Sequence, residues 1–142
     1  MGSDTVRGLL VNSDYQGKAV IPELPDCLLF ADKLRLQQVF DNIFSNSYKY
    51  AGTAIEVSAS KEEELLIVRI EDHGGGVKEE ELPLLTEKFM RGSGASEKEG
   101  AGLGLYIAAY FMKGMNGELR LENGAEGLAV SVCIALSGKG QI

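Results

Sequence analysis

Asn42, Asn46 and Lys49 stand within Asp41-Asn42-Ile43-Phe44-Ser45-Asn46-Ser47-Tyr48-Lys49-Tyr50, a segment whose apolar residues recur with a helical period. At about 100° of rotation per residue, the three point to one flank of the stripe made by Leu36, Val39, Phe40, Ile43 and Phe44. Two neutral amides and a cation, a turn apart along the edge of a core, make a surface that favours oxygen ligands and anions. A metal-bound polyphosphate has that chemistry. Asn is a poor helix former, so a helix has little local reason to carry two of them four apart. Taken alone, the helix fits a solvated, amide-rich face equally well.

Two further segments carry related chemistry. Glu71-Asp72-His73-Gly74-Gly75-Gly76 closes an apolar stretch with a carboxylate and then glycines. Asp72 can accept a hydrogen bond from the exocyclic amine of a flat base, while Gly74 and Gly76 let the backbone approach the ring where a Cβ would collide. By itself this segment reads more simply as a tight turn with a surface carboxylate. Gly100-Ala101-Gly102-Leu103-Gly104-Leu105 leads into a second helix. Glycines before a helix N-terminus offer free N–H donors and the positive end of the dipole to phosphate. No Gly-Lys-Ser/Thr follows, so this is not a P-loop. Polar Ser93 to Glu99 precedes it, where a Rossmann fingerprint needs an apolar strand. The signal lies in the order and spacing of the three segments together.

The elements that must hold these segments follow from patterning. Residues 17–21 and 28–31 read as short strands around the Pro22 to Pro25 turn. Asp32 is suited to N-cap a helix running to about Tyr50 and ended by Gly52. Residues 54–60 alternate and 65–70 are more continuously apolar, which predicts a strand pair joined at the acidic Lys61-Glu62-Glu63-Glu64 turn. A short helix is expected from about Lys78. Residues 91–102 are polar and glycine-rich, the pattern of a mobile loop. A helix over 102–115 should bury Leu105, Ile107, Ala108 and Phe111, and strands at about 118–122 and 128–136 close the chain. Grouped rather than strictly alternating elements predict an α+β layer with helices on one sheet face.

At 142 residues, with 44% hydrophobic and 25% charged, the chain is expected to form a single domain over 1–142. Residues 1–15 are expected to be an N-terminal segment that is partly linker, and Met1-Gly2-Ser3 receives no structural weight. A net charge of −7 with no basic run argues against a nucleic-acid partner. Cys27 and Cys133 fit no metal spacing and are expected as reduced, buried thiols of a cytoplasmic protein. No apolar run has membrane-spanning length, so direct membrane contact and a signal peptide are not expected.

Asn-x-x-x-Asn-x-x-Lys-Tyr, then Asp-x-Gly-x-Gly, then Phe89-Met90-Arg91, then Gly-x-Gly-Leu-Gly-Leu is similar to the catalytic, ATP-binding domain of bacterial sensor histidine kinases. That domain belongs to the ATPase superfamily shared with gyrase, the large chaperone ATPases and mismatch-repair proteins. The resemblance runs from about Phe30 to Leu136. It implies a two-layer α/β sandwich, a mixed sheet covered on one face by three helices, with ATP and Mg²⁺ under a flexible lid. It implies that Asn46 coordinates Mg²⁺, that Asn42 and Lys49 support the phosphates and metal shell, and that Tyr50 packs near the base. Asp72 takes the adenine amine, with Gly74, Gly76 and Val77 beside the ring. Phe89 and Arg91 belong to the lid's start, Arg91 reaching the terminal phosphate or remaining solvated. Gly100, Gly102, Leu103, Gly104 and Leu105 close around the phosphates at its far end.

Three positions depart from the family pattern. Thr86 stands where a Phe is frequent, Gly127-Leu128-Ala129-Val130 replaces a Gly-Thr-x-Phe pattern, and His73 replaces a frequent Asn and reads as a site neighbour. Hydrolytic branches of the superfamily carry a general-base Glu where this chain has Asn42; an amide cannot activate water. The resemblance therefore implies a protein-histidine kinase domain that gives the γ-phosphoryl group to a histidine elsewhere. His73 is the only histidine and lacks a phosphoacceptor context. The implied partner is a histidine-bearing dimerisation domain of the same parent protein, and indirectly a response regulator. A nucleotide-binding regulatory module without transfer activity is the alternative.

Overall fold

The computed structural model describes residues 1–50, 54–86 and 101–137, apart from the side chains of 50 and 101–103. The elements are α1 (Ser3–Ser13), β1 (Ala19–Val20), α2 (Lys33–Tyr50), β2 (Ile55–Glu62), β3 (Leu65–Glu71), a 3₁₀ segment (Glu79–Leu84), α3 (Ala101–Gly114), β4 (Glu118–Asn123) and β5 (Leu128–Ala135). The strands form one mixed sheet in the order β1-β2-β3-β5-β4, with β1 parallel to β2 and the remaining pairs antiparallel. This is the α+β arrangement expected from the grouping of elements.

Alternation decides which sheet face meets the helices. Ile55 and Val57 of β2, Leu66, Val68 and Ile70 of β3, and Val130, Val132 and Ile134 of β5 are buried in one core with Leu36, Val39, Phe40, Ile43 and Phe44 of α2. On the other face, the register places Ser58, Arg69, Ser131 and Arg120 in one row across four strands. Arg69 pairs with Glu122 and Glu71, and Arg120 with Glu118. Charged arms beside the small Ser131 and Cys133 explain why β5 is buried on both sides.

Helix α2 begins as its capping residue predicts: Asp32 Oδ1 accepts the Leu34 N–H at 3.0 Å and the Asp32 carbonyl accepts that of Leu36 at 2.9 Å. The expected end at Gly52 lies outside the described residues. Helix α3 buries Leu105, Ala108 and Met112; Ile107 and Phe111, expected on the buried side, are only half-buried. It closes with Asn116 in the left-handed region (φ 63°) and the Gly117 N–H on the Met112 carbonyl at 2.9 Å. The short helix expected from Lys78 is 3₁₀, with Pro83 inside it. Proline removes a donor and crowds an α-helical turn. Residues 28–31 make only isolated bridges, Leu28 with Gly2 and Leu29 with Leu136.

The N-terminal segment is where patterning fell short. Residues 1–15 contain α1, whose Val6, Leu9 and Leu10 enter the core, each burial worth roughly 1.5–3 kcal/mol. A polar seam fixes it along α2: Ser13 donates to Asp41 Oδ1 at 2.7 Å, and Gln37 Nε2 donates to the Leu9 carbonyl at 3.0 Å and Ser13 Oγ at 2.7 Å. Tyr48, buried on α2, hydrogen-bonds Asp14 just beyond α1; burial, then that bond, pushes its phenol pKa up. The overlooked signal was Val6, Leu9, Leu10 and Ser13 at i, i+3, i+4 and i+7, interrupted by Gly8. Cys133 is buried and Cys27 half-buried, both as free thiols whose pKa values burial raises.

Candidate functional site

The polar row on α2 faces the start of α3. Asn42 Nδ2 donates to the Gly104 carbonyl at 3.3 Å, joining the two helices. Gly102 and Gly104 lie at the start of the helix expected over 102–115, which begins at Ala101. The Gly102 N–H is among the first four donors of the helix, which have no intrahelical acceptor. Such a helix end, with its dipole, suits an anion. Leu105, expected near the nucleotide, puts its side chain in the core at 1% exposure.

One turn after Asn42 stands Asn46, and its Oδ1 is shielded from solvent with no hydrogen-bond partner among the described residues. An orphaned buried acceptor costs about 1–3 kcal/mol, and such atoms in a folded protein call for an explanation in terms of a ligand or ion. A hard divalent cation fits this oxygen. Magnesium characteristically takes one or two protein oxygens and fills its octahedron with water and substrate phosphate. Among the described residues no group of three His, Cys, Asp or Glu could hold a metal. An ion held by Asn46 would leave room in its shell for phosphate and water oxygens. Lys49 is exposed in the following turn.

Asp72 forms the second half of the site, at the end of β3. The carboxylate is 6% exposed, and its Oδ1 accepts the Gly74 N–H at 3.0 Å and the Leu128 N–H at 3.2 Å. Both described hydrogen bonds go to one oxygen, which leaves Oδ2 as the atom to offer a ligand. Gly127 is required here, since a Cβ would collide with Asp72 and Gly74. Leu128 stands where the family pattern has a hydroxyl residue. In the structure its backbone N–H meets the carboxylate and its side chain is buried.

The glycines after Asp72 answer a backbone demand. Gly75 and Gly76 adopt φ of 87° and 81°, a region L side chains rarely enter, whereas Gly74 does not. A Cβ on Gly76 would also overlap the Asn123 side chain. His73 Nε2 lies 3.5 Å from Glu56 Oε1. Glu71 accepts the Glu126 N–H at 2.9 Å; that bond, followed by Arg69 and the Gly127 N–H, holds its carboxyl below the usual glutamate range.

Topology brings the two halves to one edge. Four residues lie between Tyr50 at the end of α2 and Ile55 at the start of β2, five Cα–Cα steps that span at most about 18 Å. There Glu56 pairs with Glu71, next to Asp72. Phe89, Arg91 and Gly100 lie outside the described residues, as do the side chains of Tyr50 and Leu103. The expected mobile loop over 91–102 falls almost wholly there too. A groove of about 780 Å³ at the opposite end of the α2–α3 pair is lined by Phe30, Arg35, Tyr110 and Phe111 among others. It carries none of this chemistry.

Comparison with known proteins agrees with this fold. Residues 31–138 match the family described as histidine kinase-, DNA gyrase B- and HSP90-like ATPase. The signal transduction histidine-protein kinase AfsQ2 of Streptomyces coelicolor is 34% identical over 100 residues, covering 70% of this chain and 19% of that protein. Escherichia coli BaeS, another such kinase, is 33% identical over 101 residues, covering 68% and 22%. The chain thus spans about a fifth of the length of these relatives. The crystal structure of the ATP-binding domain of Mycobacterium tuberculosis PrrB superposes with a TM-score of 0.75 at 22% identity, covering 94% and 95% of the two chains. The mycobacterial sensor histidine kinase MprB gives 0.78 at 20% identity, covering 96% and 97%. No helix among the described residues is long and apolar enough to cross a membrane. With its sheet, its α2 amide row and its Asp72 loop assembled as described, the chain belongs to the histidine kinase-, gyrase B- and HSP90-like ATPase family, as the ATP-binding domain type found in sensor histidine kinases.

Proposed function

We propose that this domain binds Mg-ATP and donates the γ-phosphoryl group to a histidine on a separate dimerisation domain of its parent protein, on the cytoplasmic side, with a response regulator downstream. The observation that carries the reading is the buried, unpartnered Oδ1 of Asn46, an oxygen suited to Mg²⁺ on the helix face that Asn42 joins to α3. Bound Mg-ATP supplies the transferable phosphoryl group and the metal charge that offsets negative charge in the transition state. The chain's own residues then bind and orient. Asp72 Oδ2 accepts from the adenine amine, the first-turn N–H groups of α3 face the phosphates, and Lys49 adds a cation at the edge.

Asn42 accounts for restraint toward water. Its amide has no useful basicity, and its nitrogen is committed to the Gly104 carbonyl. A neutral imidazole needs no such base, because its free nitrogen lone pair can attack phosphorus directly as the bond to ADP breaks. Catalysis then comes from positioning rather than proton abstraction.

The test is to mix the domain with the parent protein's histidine-bearing hairpin and radiolabelled ATP. The expected product is an acid-labile, base-stable phosphoprotein on the hairpin alone, with slow ATP turnover when the hairpin is omitted. Rapid hydrolysis without the hairpin would identify an ATPase. Tight Mg-ATP binding with no transfer would identify a regulatory module.

A further inference from the structure

The loop that follows Asp72 does not hold its own shape. It is stitched along its length to the turn between β4 and β5. Asp72 makes two hydrogen bonds to that turn's far end: its backbone N–H donates to the Leu128 carbonyl at 3.1 Å, and its side-chain Oδ1 accepts the Leu128 N–H. The Gly75 N–H donates to the Glu126 carbonyl at 3.1 Å. At the loop's exit, the Asn123 carboxamide grips both sides of one residue: Oδ1 accepts the Val77 N–H at 2.9 Å and Nδ2 donates to the Val77 carbonyl at 2.8 Å. The same Nδ2 reaches Glu79 Oε2 at 3.1 Å. A flipped amide would set donor against donor at Val77, so the network assigns the orientation.

Steric fit adds an independent constraint. The space that a Cβ on Gly76 would need is filled by the Asn123 side chain. Gly76 is thus required by its φ and by Asn123 together. Of the three places where loop and turn are joined, the exit is the one whose turn-side partner is a side chain, so a substitution in the turn can remove it cleanly.

We propose that Asn123 is a positioning residue for base recognition: it holds Val77, and with it the Asp72–Val77 loop, in the shape that presents Asp72 Oδ2 and the loop backbone to the purine. This rests on the reading of Asp72 as the adenine acceptor. A site that is already formed binds without first ordering six residues, whereas a loop populating several shapes lowers apparent affinity by the fraction that is competent. The residue never touches the nucleotide in this account. Its contribution is the population of the correct loop.

The test compares wild type with Asn123→Ala, Asn123→Asp and Gly76→Ala, each titrated calorimetrically with ATP and GTP, with and without Mg²⁺, alongside hydrogen exchange at the Val77 amide. Asn123→Ala is expected to speed Val77 exchange, weaken ATP about tenfold by loss of two hydrogen bonds, and reduce the preference for ATP over GTP. The Mg²⁺ enhancement should stay at its wild-type factor, because Asn46 is untouched. Asn123→Asp keeps the acceptor for the Val77 N–H and loses the donor, so it should fall between the two. Gly76→Ala, which leaves Asn123 chemically intact, should reproduce the alanine variant's selectivity loss. A variant that is merely less stable lowers binding stoichiometry and leaves Kd and selectivity of the folded fraction unchanged; that result overturns the proposal. Wild-type ATP preference surviving unaltered in Asn123→Ala refutes the positioning role alone. A wild-type protein with no preference for ATP refutes the adenine reading and the positioning role together.

Discussion

Replacing Asp72 separates the two jobs its carboxylate performs. Oδ1 holds the Gly74 and Leu128 N–H groups, while Oδ2 is assigned to the base. In Asp72→Asn the amide oxygen keeps both backbone donors, which forces Nδ2 into the place of Oδ2, where a donor faces the adenine amine. The loss of one hydrogen bond to a charged acceptor costs about 2 kcal/mol, or roughly 30-fold in ATP affinity. Folding stability should hardly change. Asp72→Ala instead strands two N–H groups, one of them at a buried residue, at about 1–3 kcal/mol each. For a domain of this size that lowers Tm by on the order of 10 °C. Calorimetric titration with ATP and GTP, paired with scanning calorimetry of the apo proteins, reads both quantities. Two variants that lose equal stability would refute the division of labour between the oxygens. Wild-type ATP affinity in Asp72→Asn would refute the base assignment.

Asn46→Ala removes the unpartnered oxygen, so Mg²⁺-dependent enhancement of ATP binding should largely vanish while apo Tm stays equal or rises slightly; equal Mg²⁺ enhancement in both proteins would contradict the metal assignment. Glu71, whose pKa is lowered in the fold from its ordinary 4.5, binds fewer protons folded than unfolded. Its contribution is therefore present above that value and lost as pH falls through the folded pKa; urea midpoints of Glu71→Gln from pH 7 to pH 3 should decline less steeply than wild type, and parallel curves would count against it. Leu10→Ala should destabilise the domain by about 2–5 kcal/mol if α1 belongs to the core, read as a shift in urea midpoint; a change under about 0.5 kcal/mol, the range of surface substitutions, would show α1 to be dispensable.

Much of this protein is legible from local pattern. Asp32 predicted the start of α2, since a cap acts on N–H groups two or three residues away. The alternation of Ile55, Glu56, Val57 and Ser58 predicted the inner face of β2, because side-chain direction along a strand has a period of two. Asn42, Asn46 and Lys49 could be placed on one helix flank by rotation alone. What pattern missed is short or interrupted. Gly8 broke the periodicity of α1, and Pro83 turned an expected helix into 3₁₀.

Tertiary structure decided the rest, because it concerns which distant groups meet. No local rule says that Asn42 spends its amide on Gly104, 62 residues away. None says that Asn46 Oδ1 is left buried without a partner, since burial depends on every neighbour at once. Asn123 lies just past the strand expected at about 118–122, where local pattern gives it no role. Only the folding of the β4–β5 turn beside the end of β3 makes it the clasp of the Asp72 loop, 46 residues from Val77. The types and spacing of the reactive residues were carried by the chain itself, while their partners were set by the packing that brought α2 against the start of α3 and the β4–β5 turn against the Asp72 loop.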